Sequence, residues 1–186
     1  NWKSSPKFTN VAFVGNQADG DGGAIVNYTN CDPVFTNVYF SENTALGSGG
    51  ALYNERNSNP VITNTIFSYN RAGEKGGAMA VVTGAAACSP ILTNVTIVKN
   101  HADTSGGGIY TDGQGSGKIR NSIVHGNTAG RDADIDAPQS MLPSAVFNDI
   151  FGNEYYANGT TMPVAFTVEV FKDTANGDFT LSSTGP

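Results

Sequence analysis

Three aspartates at alternate positions have the spacing that a Ca²⁺ site needs. Asp132, Asp134 and Asp136 alternate with Ala133 and Ile135. Alternate side chains of a β-strand lie on one face, and carboxylate oxygens are the ligands that Ca²⁺ prefers. Like charges on an exposed strand also serve to keep that strand soluble. We therefore name these three residues as candidate Ca²⁺ ligands, with a solvated strand as the alternative.

Acid–base chemistry on polysaccharides would need carboxylates and a base gathered on one side of the chain. A lyase needs carboxylates that hold Ca²⁺ beside a Lys or Arg base, and a hydrolase needs paired carboxylates about 5 to 10 Å apart. The ten Lys and Arg are scattered, and no column of aligned repeats collects acids with a base. His101, at the expected start of a loop, and His125 do not converge. We therefore expect no catalytic residues.

The two cysteines occupy equivalent positions two repeats apart. Cys31 and Cys88 each lie two residues before a proline, and Ser58 has the same place between them. Two layers of a stacked sheet separate Cα atoms by about 9 to 10 Å, which exceeds the reach of a disulfide. Both are expected to remain free thiols.

A repeat of about 27 residues must position all of these side chains. One row of asparagines recurs at intervals of 27, 27, 30, 27 and 27 residues, namely Asn10, Asn37, Asn64, Asn94, Asn121 and Asn148. A second row follows, comprising Asn16, Asn43, Asn70, Asn100, Asn127 and Asn153. Apolar residues stand between the rows, at Phe13, Phe40, Phe67, Ile97, Val124 and Phe151. Glycine pairs come after the second row, at 22–23, 49–50, 76–77 and 106–107.

These repeats predict an all-β fold, a right-handed parallel β-helix of about six coils. The segments between turn residues are short and often alternate, which suits strands and leaves no room for helices. Stacking coils about 4.8 Å apart places Phe on Phe and Asn on Asn, so both asparagine rows are expected to be buried. Parallel crossovers are nearly always right-handed. We assign 1–154 to the coils and 155–186 to a β-rich closing segment with a tight turn at Asn176-Gly177-Asp178.

Two outer features are candidate ligand-binding sites. The first is an outward apolar row that includes Tyr39 and Ile66, because contiguous apolar surface tends to be covered or used. The second is the longest loop between coils, which contains Val81, Val82 and Thr83. Loops that project from a solenoid commonly carry recognition. The closing segment is an equally good cover for the row, and the loop has folding back over Cys88 as its alternative.

Composition and charge restrict the partners. The chain of 186 residues has 23 glycines, only 14% charged residues and a net charge of −6. No basic patch is present to neutralise nucleic-acid phosphates, and no run of eighteen apolar residues could cross a bilayer. The expected partner is a glycan or protein of a host or the environment, and the chain itself is expected to be a monomer.

Two motifs that recur in register resemble the repeats of polymorphic outer-membrane proteins. They are Phe-x-x-Asn, as in Phe40 to Asn43, and Gly-Gly-Ala followed by Ile, Leu or Met, and the resemblance covers about residues 6 to 110. Residues 121–127 and 171–179 are similar to the closing coils of right-handed, pectin-lyase-like β-helix proteins secreted by bacteria. The resemblance implies an extracellular or cell-surface module with adhesion as its role. We therefore expect a non-catalytic binding module or a rigid stalk, with a fragment of a polysaccharide lyase or glycoside hydrolase as the alternative.

Overall fold

Stacked parallel strands form the body of the molecule in the computed structural model. The structure describes residues 1–84, 86–112, 117–120 and 122–137, and the backbone of four short strands between 154 and 181. Within these residues the fold is all-β, a parallel β-solenoid of about five turns spaced roughly 27 residues apart. The predicted solenoid is therefore confirmed. The sixth predicted coil, which includes Asn148, Phe151 and Asn153, lies outside the described residues.

Each coil contributes three or four strands. The first coil contains β1 (Lys7–Thr9), β2 (Ala12–Val14), β3 (Gln17–Ala18) and β4 (Ile25–Tyr28), and the second contains β5 (Val34–Thr36), β6 (Tyr39–Ser41), β7 (Thr44–Ala45) and β8 (Leu52–Glu55). The third coil contains β9 (Val61–Ser68), β10 (Arg71–Ala72) and β11 (Met79–Val82), and the fourth contains β12 (Ile91–Val98), β13 (His101–Ser105) and β14 (Ile109–Thr111). The fifth contains β15 (Lys118–Arg120), β16 (Ile123–His125), β17 (Thr128–Arg131) and β18 (Ile135–Asp136).

Three parallel sheets enclose the core. The first sheet joins β1, β5, β9, β12 and β15, and β2, β6 and β16 extend it along the same coils. The second runs in the order β3, β7, β10, β13, β17, and the third in the order β4, β8, β11, β14, β18. Paired residues are one repeat apart, as in Phe40 opposite Phe67. Among the described residues no helix is long and apolar enough to cross a membrane.

Aromatic rings stack along the solenoid axis inside the first sheet. The ring of Phe40 lies between those of Phe13 and Phe67, with centroids 5.0 and 4.7 Å away and planes within about 10° of parallel. Phe8 stacks on Phe35 in the same way at 5.2 Å. Phe35, Phe40 and Phe67 are fully buried. The predicted Phe-on-Phe stacking is therefore confirmed.

The first asparagine row turns the chain at the outer surface. Asn10, Asn37, Asn64 and Asn94 have φ between +50° and +56°. Asparagine tolerates this left-handed conformation because its short side chain bonds locally. All four are exposed, with side chains bonded in pairs at 3.1 Å, Asn37 to Asn10 and Asn94 to Asn64. The prediction that this row is buried is wrong, because the backbone bends here and directs the side chain outward.

The second asparagine row is a hydrogen-bonded ladder that is buried from Asn43 to Asn127, with the exposed Asn16 at one end. Each side-chain nitrogen lies 2.8–2.9 Å from the Oδ1 of the next member, along Asn16, Asn43, Asn70, Asn100 and Asn127. Each Oδ1 also accepts the backbone N–H of the asparagine one coil earlier. The second amide hydrogen of Asn43 reaches the carbonyl of Phe13, and the equivalent bond recurs in later coils. The buried side chains therefore satisfy their hydrogen bonds within the ladder.

A further buried ladder was not expected from the sequence. Asn1 donates to Asn27 at 2.7 Å, and Asn27 donates to Asn54 at 2.8 Å. Asn27 and Asn54 are completely buried. In the next coil Val81 takes the same position, opposite Asn54, so the ladder ends on an apolar residue.

The two glycines of each pair meet different requirements of the same corner of the coil. The first glycine of each pair has φ between +62° and +71°, at Gly22, Gly49, Gly76 and Gly106. A side chain on the second glycine would collide with the backbone of the next coil, as Gly50 would with the carbonyl oxygen of Gly77. The corner thus needs both conformational freedom and close approach.

The cysteines and the serine between them form a short buried column. The backbone N–H of Cys31 donates to Ser58 Oγ at 3.3 Å, and the backbone N–H of Ser58 donates to Cys88 Sγ at 3.4 Å. Both cysteines are free and fully buried. The predicted stacking with Ser58 between the thiols is confirmed.

Two antiparallel hairpins follow in the chain. Their strands are β19 (Glu154–Ala157) with β20 (Thr160–Pro163), and β21 (Phe171–Asp173) with β22 (Asp178–Leu181). The tight turn predicted at Asn176-Gly177-Asp178 includes Asn176 and Gly177, which lie outside the described residues. The remainder of the predicted closing segment lies outside the described residues.

Candidate binding surface

The outer face of the third sheet combines aromatic and charged side chains. Along its strands Ile25, Leu52 and Met79 belong to the core, so the alternate residues face outward. In-register pairing aligns two outer rows. One contains Val26, Tyr53, Ala80, Tyr110 and Asp136, and the other contains Trp2, Tyr28, Glu55 and Val82.

An aromatic and cationic corner lies at one end of this face. The rings of Trp2 and Tyr28 have centroids 5.4 Å apart and planes inclined by 38°. The guanidinium carbon of Arg56 lies 4.7 Å from the centroid of Tyr28. Trp2 is 66% exposed, the most of any large apolar residue that the structure describes, together with Leu46. An exposed indole held against a second ring favours recognition of a ligand that has an apolar face.

Glu55 links this corner to Tyr53. Its Oε1 lies 3.1 Å from Arg56 Nε, and its Oε2 accepts the hydroxyl of Tyr53 at 3.3 Å. Burial raises the pKa of Tyr53 well above its ordinary value, and the charges of Glu55 and Asp21 add to the rise. The phenol is therefore a hydrogen-bond donor that orients Glu55, and it stays neutral at physiological pH.

Lys75 and Tyr110 form a second polar pair on the same face. Lys75 Nζ donates to the hydroxyl of Tyr110 at 3.1 Å. Ala80, which faces outward between Tyr53 and Tyr110, is completely covered. Ala80 therefore adds no exposed surface of its own to this row.

The predicted recognition loop is largely part of the solenoid. Val81 and Val82 belong to β11, and Val81 and Thr83 are each only 1% exposed. The Thr83 hydroxyl and backbone N–H both donate to the carboxylate of Asp112 at 2.8–3.0 Å. The expectation that Val81 and Thr83 project from the surface is wrong, because the inserted residues begin only after the strand. Val82 alone of the three lies partly exposed on the outer face, opposite Glu55.

The predicted apolar row lies on the outer face of the first sheet. Pairing places Tyr39 opposite Ile66, and Ile66 opposite Thr96. Both Tyr39 and Ile66 are half-buried, and the Tyr39 hydroxyl lies 3.0 Å from Ser68 Oγ. The residues of this row are therefore aligned as predicted. The hydroxyl of Tyr39 already has a hydrogen-bond partner within the solenoid.

The three aspartates named as Ca²⁺ ligands separate. Asp134 is buried and accepts the side chain of Asn127 at 2.8 Å, whereas Asp132 and Asp136 each lie 2.9 Å from Arg131. Burial raises the pKa of Asp132, and the neighbouring Asp136 adds to the rise. The prediction of one shared face is wrong, because Asp132 has φ +49° and interrupts the strand alternation. Within the described part of the chain no three His, Cys, Asp or Glu residues form a cation site.

A network of hydrogen-bonded and charged side chains lies on the second sheet and was not predicted from the sequence. Asp103 Oδ1 lies 2.6 Å from Arg71 and 2.9 Å from His101 Nε2, and His101 Nδ1 lies 2.8 Å from Thr128 Oγ1. His101 begins β13 rather than a loop, so that position was predicted wrongly. A hydroxyl that bonds to an imidazole, which in turn bonds to a carboxylate, is an arrangement used in nucleophilic catalysis. Here the ionic side chains are 38–54% exposed, so water screens their interaction.

Three segments match the repeat of the Chlamydia polymorphic membrane protein family (Chlamydia_PMP), at residues 10–28, 37–55 and 94–112. Each segment begins at an exposed corner asparagine, passes through a ladder asparagine and a glycine pair, and enters a strand of the third sheet. The matches support a bacterial β-solenoid located at the cell surface or outer membrane. No curated protein and no solved structure gives a significant match to the chain.

Proposed function

We propose that this chain is a non-catalytic, adhesin-like binding module of a bacterial cell surface, acting through the outer face of its third sheet. The observation that carries the proposal is that each of the three matched segments runs from an exposed corner asparagine through a strand of the third sheet. Each matched segment therefore supplies a strand to the candidate face. Right-handed, pectin-lyase-like winding is part of the proposal, because parallel crossovers almost always have that hand.

The solenoid is a suitable support for recognition. Hydrogen-bonded ladders and stacked rings hold the coils in register, so outward side chains keep fixed spacings. Binding to a rigid surface costs less conformational entropy than binding to a mobile loop. Tyr28, Tyr53 and Tyr110 are of a residue type enriched at binding surfaces, and all three belong to the candidate face.

Two other functions give different outcomes in the same experiment. A rigid stalk would use the ladders alone and would retain no ligand. A carbohydrate-active enzyme would cleave its substrate, and the network of His101, Asp103 and Thr128 is the arrangement that favours this alternative. The exposure of that network favours binding over catalysis, since an active site excludes water around its reacting groups.

The test applies the labelled chain to a glycan array and to cultured epithelial cells, and incubates it with neutral and uronate polysaccharides. We expect saturable retention on the array or the cells, with no new reducing or unsaturated ends. New ends would establish an enzyme, and no retention anywhere would leave a stalk. Val82→Arg, at the centre of the candidate face, should reduce retention.

Thr63→Arg is the matched control, because Thr63 lies on the outer face of the first sheet. Retention that is lost with Thr63→Arg and kept with Val82→Arg would move the binding surface to the row of Tyr39 and Ile66. Thermal unfolding of both variants identifies any loss that comes from misfolding.

A further inference from the structure

The corner of the third sheet presents an apolar platform beside hydrogen-bonding groups of both kinds. The exposed indole of Trp2 lies against the ring of Tyr28, with centroids 5.4 Å apart and planes inclined by 38°. Arg56 packs on the Tyr28 ring and is 48% exposed in its side chain. Its bond to Glu55 engages the Nε–H, one of the five N–H donors of a guanidinium. The remaining donors and the Glu55 carboxylate lie beside the rings.

The two charged side chains that would contact the ligand, Arg56 and Glu55, neutralise each other. Arg56 and Glu55 form an ion pair at 3.1 Å, and the Tyr53 phenol that bonds to Glu55 remains neutral because burial raises its pKa. The whole chain carries a net charge of −6. A polyanion therefore gains no net attraction from this ion pair and meets an unfavourable long-range field from the chain as a whole. A ligand without charge loses nothing to either effect.

We propose that Trp2, Tyr28, Glu55 and Arg56 form a subsite for a pyranose ring of a neutral glycan. The C–H face of the sugar packs on the exposed indole of Trp2, which the Tyr28 ring supports, and adjacent hydroxyls donate to Glu55 and accept from Arg56. The proposal rests on the binding function above and names its ligand class. The two rings cover far less than the roughly 800 Å² that a standard protein interface buries on each partner. A sugar fits this area better than a folded protein does.

The chain provides its own reporter for this subsite. Its single tryptophan is Trp2. Titration with cellohexaose, xylohexaose, mannohexaose and maltohexaose, and with hexagalacturonate as the acidic counterpart, should change tryptophan fluorescence saturably for at least one neutral oligomer. A response to hexagalacturonate alone, or no response to the four neutral oligomers, would overturn the proposal.

Variants locate the bound sugar. By calorimetry, Trp2→Ala and Tyr28→Ala should each raise the Kd of the best neutral oligomer about tenfold or more, as loss of an aromatic anchor does. Arg56→Ala should weaken binding more than Arg56→Lys, which keeps a donor. Ile91→Ala, at an exposed apolar residue of the first sheet, is the control and should leave the Kd unchanged.

Failure of this proposal is distinguishable from failure of the binding function. Retention on the array or cells that survives Trp2→Ala, Tyr28→Ala and Arg56→Ala, yet is lost with Val82→Arg, refutes the subsite and leaves the binding function standing. Retention on cells without any neutral glycan on the array would instead identify a protein ligand. Absence of all retention by the unmodified chain contradicts both proposals.

Discussion

Asn127 donates its side-chain amide to Asp134 Oδ1 over 2.8 Å, although only seven residues separate them. Elsewhere in the ladder the partners are 27 or 30 residues apart. The chain thus places an aspartate of the fifth coil where a further coil would place an asparagine. A carboxylate accepts hydrogen bonds and donates none, which suits the last ladder position among the residues that the structure describes, because each member accepts from the one before.

Asp134→Ala should lower the free energy of unfolding by about 2–4 kcal/mol, because it removes the acceptor of two buried N–H groups of Asn127. Asp136→Ala is the control and should cost about 1 kcal/mol or less, since its partner Arg131 is 69% exposed. Urea unfolding of the two variants measures the difference. Equal losses would show that the bonds from Asn127 to Asp134 do not stabilise the ladder.

The two asparagine rows should respond differently to alanine. Asn70→Ala removes the acceptor of two bonds from Asn43 in the interior, so we expect a loss of about 2–5 kcal/mol. Asn64→Ala affects an exposed corner at φ +50° and should cost about 1–2 kcal/mol in backbone strain. Asn64→Gly should restore stability close to that of the parent. Comparable destabilisation by Asn64→Gly and Asn70→Ala would contradict the assignment of the exposed and buried rows.

Phe40 should be among the most costly apolar truncations. Its ring is fully buried between Phe13 and Phe67, so Phe40→Ala is expected to cost about 3–5 kcal/mol. Val14→Ala, at a residue of β2 that is 52% exposed, serves as the comparison and should cost about 0.5 kcal/mol or less. Thermal melts are sufficient to measure both. A loss below about 1 kcal/mol for Phe40→Ala would be incompatible with the stacked core.

Cys31 and Cys88 should both remain thiols in an oxidising medium. Ser58 occupies the layer between them, and two layers hold the Cα atoms about 9–10 Å apart. Alkylation under denaturing, non-reducing conditions should therefore label both. Under native conditions labelling of Cys88 should be slow, because burial raises the pKa of its thiol. Recovery of unlabelled, disulfide-linked protein would show that the column can rearrange.

Tyr53 should make stability depend on alkaline pH. Its pKa is raised in the folded state, so the unfolded phenol ionises first as the pH rises through about 10. The contribution of this group is fully present below that pH and is lost as the pH rises further. Tyr53→Phe should remove this loss, which denaturant unfolding between about pH 8 and pH 11 measures. Parallel decline of the parent and the variant would exclude Tyr53 as the cause.

The sequence by itself determined the repeat, and the repeat determined the stacking. Spacings of 27 and 30 residues put Phe40 opposite Phe67 and Cys31 in line with Ser58, because parallel strands in register align equivalent positions. Aligning the strands after the glycine pairs in the same way would have placed Tyr28 beside Glu55 and Val82. The alignment of these outward residues is therefore encoded in the sequence by the same repeat.

The direction of each side chain at a bend was decided only by the tertiary structure. Asn64 and Asn70 are six residues apart and of one type, yet backbone conformation directs the first outward and packing encloses the second. The side chains of Asp132 and Asp134 point in different directions for the same reason, since the left-handed backbone at Asp132 breaks the alternation that a strand would impose. The bond from Asn127 to Asp134 depends on a short return of the chain within one coil. The period of the repeat specifies which residues of successive coils lie opposite each other. The local backbone angle φ and the surrounding packing specify whether a side chain faces the core or the solvent.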